Sequence, residues 1–340
     1  MRRRQRLWIL LLATLFVLAA ADTLYWYMVE RNLADGFANW RTNQQLLGWE
    51  ANSGTPVKGG WPLKATLTIP AMTLRGSDRA VPGGLTWSTE HLGLSVALWY
   101  PTVLTASANG RQRLHVGNTP EIAYTAERMT LSLPVEQTNS VQHIVLEVTD
   151  LRESDASLGS LHANLTFNPT ASSKAAVLDI AAEAQGLRPA GELSRTLGPN
   201  ISRVTLDASL SGPLPAGGSA QAKAAAWRDA GGSLVVRSFA LSWGPLDFSA
   251  NATLTLDDRL QLMGNGHVHA IGYAETLDAC AARGLITHSA ATAAKAVLSL
   301  LANYPADGSA PSVSVPLTLQ DDTLSMRQVP LLRLSPIQWP

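Results

Sequence analysis

Two histidines, His267 and His269, come nearest to a reactive constellation in this 340-residue chain. Two residues apart in a stretch of alternating pattern, they share one face of a strand, the arrangement of a pair of imidazole ligands. A zinc ion needs at least a third protein ligand, and no carboxylate or cysteine falls within a few residues of them. The pair therefore reads as polar residues on a strand's solvent face, and no metal is expected. There is no Gly-x-Ser-x-Gly elbow, phosphate loop, dinucleotide fingerprint or His-Glu-x-x-His, so no catalytic residue and no cofactor is expected. The single cysteine, Cys280, can close no internal disulfide.

Aromatic chemistry is concentrated early: Trp26, Trp40, Trp49, Trp61, Trp87 and Trp99 all fall in the first hundred residues. Carbohydrate-binding surfaces use such side chains, but so do cores and membrane interfaces. Trp40 continues a helical stripe and Trp26 lies at membrane depth, which favours core and interface.

The elements that must position these residues begin with a membrane segment at 1–29. Arg2, Arg3, Arg4 and Arg6 precede fifteen uncharged residues, Leu7 to Ala21, then Asp22 and a second apolar run with Tyr25, Trp26 and Tyr27. By the positive-inside bias the arginines stay in the cytoplasm and the remaining chain is exported. Leu7 to Ala21 covers only about 22 Å against a hydrocarbon core of about 30 Å, whereas a helix extended to Val29 reaches about 34 Å. That length and the aromatic triplet favour an uncleaved anchor carried by Leu7, Leu12, Phe16, Tyr25, Trp26 and Tyr27, single-pass in an inner membrane with the bulk of the chain in the periplasm. Asp22 and the run Ala19 to Ala21 leave the alternative open: a signal cleaved at Ala21 and a soluble periplasmic protein.

All four leading arginines lie before the first acidic residue, so the exported part carries 22 basic against 26 acidic residues, a net of −4. With no basic cluster beyond the targeting one, nucleic acid is excluded as a partner.

A juxtamembrane helix is expected over 30–49. Leu33, Phe37, Trp40 and Leu47 form one stripe, and Gly48 is placed to end it. Without a flanking basic band, the stripe fits packing on the protein's own sheet better than lying on a membrane. After the Pro/Gly-rich turn at 54–62 the period changes to two. Ala65, Leu67 and Ile69 alternate with polar residues, as do Leu92, Leu94, Val96, Leu98 and Tyr100, then Leu131 and Leu133, then Ile144, Leu146 and Val148. Val204, Leu206, Ala208 and Leu210 continue the theme in the second half, with Phe239 to Trp243 and Phe248 to Leu256. Connections this short demand antiparallel pairing. A short helix is expected at Ala220 to Ala230, with Ser219 as N-cap, and a helical pair over Tyr273 to Arg283 and Ser289 to Tyr304. Two hairpins share a wording, Thr253 to Leu260 and Leu317 to Leu324, each turning at an aspartate pair.

The expected fold is mainly β (α+β): curved antiparallel sheets in a first half at 50–170 and a second at 171–340, an N-terminal transmembrane helix, and a C-terminal helical pair as a cap. A candidate apolar groove would be lined by Leu92, Leu94, Val96, Leu98, Leu131, Leu133, Ile144, Leu146, Val148, Val204, Leu206 and Leu210. Periodicity alone fits a filled core equally well, because aliphatic burial is favourable against a second layer or against acyl chains alike.

The run Gly54 to Pro62 after a helix ending at Gly48-Trp49, the segment Trp243-Gly244-Pro245-Leu246 before a hairpin, and Gly272 to Gly284 leading into a second helix resemble an uncharacterised Gram-negative envelope family, domain of unknown function 2125. That family places Gly-Phe-Pro where this chain has Gly60-Trp61-Pro62, an exchange that keeps the turn. The resemblance implies a membrane-anchored periplasmic protein, distantly similar to the AsmA-type β-rich proteins linked to outer-membrane and lipid homeostasis, and carries no catalytic residues. Three readings fit. The first is a module that binds or passes a lipid or other apolar ligand at the inner membrane; the second is an envelope scaffold that docks a protein partner. The third and least supported is a hydrolase-type enzyme, since acid, base and nucleophile candidates are scattered.

Overall fold

No proline precedes Pro56, and Gly36 is the only glycine before Gly48, so nothing breaks a helix that starts in the arginine cluster. In the computed structural model, which describes residues 2–77, 83–117, 119–135, 141–171, 175–213, 219–306, 308, 310–326 and 329–339, α1 runs unbroken from Arg2 to Leu46. The expected anchor and juxtamembrane helix are one element. Gly48, at φ 82°, turns the chain out of it. Leu12 and Phe16 are exposed, and none of the helix's most apolar window is buried against the protein. The side chain of Leu7 lies outside the described residues.

The chain forms two compact units, 1–125 with 129–137 and 126–128 with 138–340. The division falls earlier than residue 170: the strands Gln142–Arg152 and Ser157–Phe167 belong to the second unit.

In the first unit, β1 (Trp49–Asn52), β2 (Val57–Gly59), β3 (Lys64–Gly76), β4 (Leu85–Ala97), β5 (Tyr100–Val116), β6 (Ile122–Thr125) and β7 (Arg128–Pro134) are all antiparallel to their partners. The two short strands β1 and β2 pair with opposite ends of β3, which continues into β4 and β5. The alternating residues Leu67, Ile69 and Met72 of β3 and Leu94 and Val96 of β4 are buried beneath Leu33 and Phe37 of α1. Phe37 stacks on Trp40, ring centroids 5.9 Å apart. The amphipathic stripe of the helix therefore serves as the second layer of this unit, as its pattern suggests.

The second unit is a meander. Its strands are β8 (Gln142–Arg152), β9 (Ser157–Phe167), β10 (Ala176–Leu187), β11 (Ile201–Ser211), β12 (Ser233–Trp243), β13 (Leu246–Leu256), β14 (Leu262–Ile271), β15 (Ala302–Asn303), β16 (Ser312–Gln320), β17 (Thr323–Met326) and β18 (Val329–Arg333). Each of β8 to β13 is hydrogen-bonded antiparallel to the next; β14 pairs with β16, and the short β15 flanks β16. Four helices interrupt it: α2 (Glu192–Leu197), α3 (Ala220–Asp229), α4 (Tyr273–Ala282) and α5 (His288–Leu301). The Ser219 hydroxyl accepts from the Ala222 amide as the N-cap of α3, and Thr287 caps α5 in the same way. The helical pair α4–α5 is tied by Lys295 and Asp278, 2.6 Å apart. At the β16–β17 turn, Asp321 and Asp322 both take positive φ, 51° and 58°, the conformation that suits a two-residue hairpin turn and that Asp tolerates.

Candidate functional site

Strand periodicity and register together build a site in the second unit. One row of directly paired residues crosses eight strands, β8 to β14 and β16: Leu146, Ala163, Ala182, Leu206, Phe239, Ala250, Val268 and Val315. The row on one side is Ile144, Leu165, Ile180, Ala208, Val236, Ala252, Gly266 and Leu317; on the other it is Val148, Leu161, Ala184, Val204, Leu241, Phe248, Ala270 and Val313. No polar side chain interrupts the three rows. At about 4.8 Å between strands they extend some 34 Å across the sheet.

A β-bulge is required to keep this face in phase. Val236 and Phe239 are three apart, so simple alternation would send them to opposite faces. The pairing shifts between Asp207 and Ala208 on β11, leaving Arg237 as the extra residue of β12. Both apolar side chains then stay on one face and Arg237 joins the other.

That other face is polar and ion-paired. Arg237 Nε donates to Asp207 at 2.9 Å and its Nη1 to Asp179 at 3.1 Å. Arg203 pairs with Glu183 at 3.0 Å, and His162 lies 3.6 Å from Glu147. Hydrogen bonding from Arg237 holds the Asp207 carboxyl below the usual aspartate range and pushes the guanidinium's own pKa up. His267 and His269 stand on this side too, opposite Asn251 and Ser249 of β13. Among the described residues no group of three metal-ligating side chains is found.

On the apolar face Val148, Ala163, Ala208 and Val313 are buried, and the other members of the three rows stay partly accessible. The buried apolar cluster of this unit gathers Ala224, Leu256 and Leu260 with Trp227, Leu262 and Trp339, and includes no member of the three rows. Leu146, Leu206, Phe239, Leu241 and Phe248 remain partly accessible to solvent, with Phe239 and Phe248 edge to face at 6.1 Å. Helices stand at the two ends of the strands. At one end, the Trp227 indole of α3 donates to the Ser211 carbonyl at 2.8 Å. At the other, the Trp243 indole donates to the carbonyl of Gly198, the C-cap of α2, at 2.8 Å.

The sequence-derived groove residues therefore divide. In the first unit Leu94 and Val96 are buried and Leu92 packs against them, under α1, so this part of the expected groove is filled by the chain's own helix. Leu98 is buried at the β4–β5 turn; Leu131 and Leu133, opposite Ala106 and Leu104, are half-buried. In the second unit Ile144, Leu146, Val148, Val204 and Leu206 fall in the three rows, and Leu210 continues the face between Leu178 and Leu234. Sequence reading missed β10 and the Leu234–Val236 part of β12; alanines dilute the first pattern and the bulge breaks the second.

In the membrane segment the Trp26 indole donates to the Lys64 carbonyl at 3.1 Å. Tyr25 and Tyr27 remain exposed. A cavity of about 230 Å³ in the first unit, lined by Met72, Ser88, Glu90, Arg111 and Arg113, is small and open; its one carboxylate already accepts from the Arg111 amide at 3.1 Å.

A long apolar N-terminal helix joined to antiparallel β units, with no reactive constellation among the described residues, defines a β-rich protein with a membrane anchor or signal helix. The chain belongs to the family described as "Uncharacterized protein conserved in bacteria (DUF2125)", whose model matches residues 26–335. No curated protein and no solved structure matches it.

Proposed function

We propose that the protein is held by α1 in the inner membrane, with its β units in the periplasm, and that the apolar face of the second unit binds or passes a lipid or other apolar ligand in envelope homeostasis. The observation that carries this reading is the face itself: three uninterrupted apolar rows across eight strands, most of whose side chains stay partly accessible. Soluble proteins rarely leave contiguous apolar area of this extent without a binding use. The face extends about 34 Å, against a hydrocarbon leaflet about 15 Å deep, so it has room for acyl chains laid across the strands. Orientation follows from the arginines at 2, 3, 4 and 6. A binding role, rather than a catalytic one, is consistent with a polar face whose charges are engaged with one another.

The test is gentle purification of the full chain from membranes and native mass spectrometry with lipid extraction. The proposal expects a bound lipid released by Leu206→Asn with Phe239→Ser. Absence of any co-purifying lipid, together with no uptake of a fluorescent fatty acid, would rule it out. A protein cross-linked to the face in its place would support the scaffold reading instead.

A further inference from the structure

The first unit ends, on the side where it meets α1, in turns that carry exposed apolar residues. The β2–β3 turn presents Trp61, 56% exposed, and Leu63, 62%; the β4–β5 turn presents Trp99, 69%, and Tyr100, 63%. These turns adjoin: the Leu98 amide donates to the Leu63 carbonyl at 3.2 Å, and Lys64 pairs with Ala97. Val135, also exposed, donates its amide to Thr102 beside them at 2.9 Å. Gly59 to Lys64 and Ala97 to Val103 contain a single charge, Lys64.

Their level along α1 is fixed. The Trp61 indole donates to the Thr23 hydroxyl at 3.2 Å, and Trp26 reaches the Lys64 carbonyl. From Leu7 to Thr23 the helix rises about 25 Å, short of a hydrocarbon core of about 30 Å. A bilayer crossed by α1 must therefore extend at least to the level of Thr23, where the turns lie. Indole and phenol rings with one apolar side and one polar handle are the side chains favoured at that depth. A lysine there can reach up to a lipid phosphate.

We propose that these two turns form a foot that sits in the headgroup region of the same bilayer that α1 crosses, with Trp61, Leu63, Trp99 and Tyr100 in the lipid interface. This rests on reading α1 as an uncleaved span. The foot fixes the first unit on the membrane surface instead of leaving it to swing on a helix.

The test uses the full chain with Cys280→Ala, reconstituted in vesicles of phosphatidylethanolamine and phosphatidylglycerol. Nitroxides are placed singly at Phe16→Cys, Trp99→Cys, Tyr100→Cys and, as the aqueous reference, the exposed Asn109→Cys. Collision with oxygen relative to a water-soluble nickel chelate is measured at each. The foot expects Trp99→Cys and Tyr100→Cys to show a ratio several-fold above Asn109→Cys and below Phe16→Cys. A deep label at Phe16→Cys with the two turn labels matching Asn109→Cys would overturn the foot while leaving the anchor intact. An aqueous label at Phe16→Cys would overturn both. Two turn sites are used because they are exposed, which spares the Trp61 indole that holds α1.

Discussion

Lys58 Nζ stands 2.9 Å from one carboxylate oxygen of Glu30 and donates to the other at 3.2 Å, although Glu30 is 2% exposed and Lys58 is half in solvent. The nearer oxygen takes no hydrogen bond. Glu30 shares its helix face with Leu33 and Phe37, so this pair sits where α1 docks on β2 and β3. Removing Lys58 strands a buried carboxylate: Lys58→Ala is expected to cost about 1–3 kcal/mol. The double variant with Glu30→Leu should recover most of it, as apolar replacement of a buried pair often does. Urea unfolding in detergent, followed by tryptophan fluorescence, reads both; an unchanged midpoint for Lys58→Ala contradicts the account.

The same substitution should act differently on the two apolar faces. Leu67 is 1% exposed beneath α1, and Leu67→Asn both loses apolar packing and buries an unpaired amide there, so a loss of about 3–5 kcal/mol is expected. Leu206 is only partly buried, so Leu206→Asn should cost under about 2 kcal/mol, in proportion to the smaller area it hides. Thermal unfolding of the two variants makes the comparison. Equal, large losses would mean that the second face is an ordinary core.

Much of the fold was legible because period and spacing report local geometry. The stripe Leu33, Phe37 and Trp40 correctly indicated a helix packed on sheet, and Ser219 marked the start of α3. The groove was legible only in part. Leu94 and Leu206 have the same sequence signature, and what separates them is α1, a covering element whose destination periodicity does not encode. Val236 stayed hidden because the bulge at Arg237 shifts the alternation by one, and Ala182 and Ala184 because small residues give weak contrast. The docking of Trp61 on α1 depends on a tertiary hydrogen bond to Thr23, which no spacing predicts.

Acid should release the Arg237 bridge without unfolding the sheet. The Asp207 pKa is depressed by the hydrogen bond from Arg237, so its stabilisation is fully present above the unfolded aspartate value of about 3.9 and is lost as pH falls through the lower folded value. Both side chains are close to half exposed, which limits the contribution to under about 1 kcal/mol. In Arg237→Gln, the carboxyl titration of Asp207 followed by NMR should move up towards the ordinary range. A titration that stays where it was would show that the arginine is not the cause.

Two of the motifs that carry the family resemblance meet in space, and one substitution tests that contact. Gly272 ends β14 and caps α4 at φ 73°, ψ 18°, a left-handed conformation that costs a residue with a Cβ about 1 kcal/mol or more. A Cβ there would also run into the carbonyl of Pro245 at the β12–β13 turn. That neighbour is backbone in a tight turn and cannot swing aside as a side chain would. Gly272→Ala is therefore expected to destabilise the second unit by about 2–4 kcal/mol, strain and overpacking together. Gly284→Ala, at the same φ of 73° but with open space around its Cα, should show the conformational part alone, about 1 kcal/mol. Denaturant midpoints of the two variants separate the contributions. Equal losses would mean that the Gly272–Pro245 contact contributes nothing beyond backbone conformation.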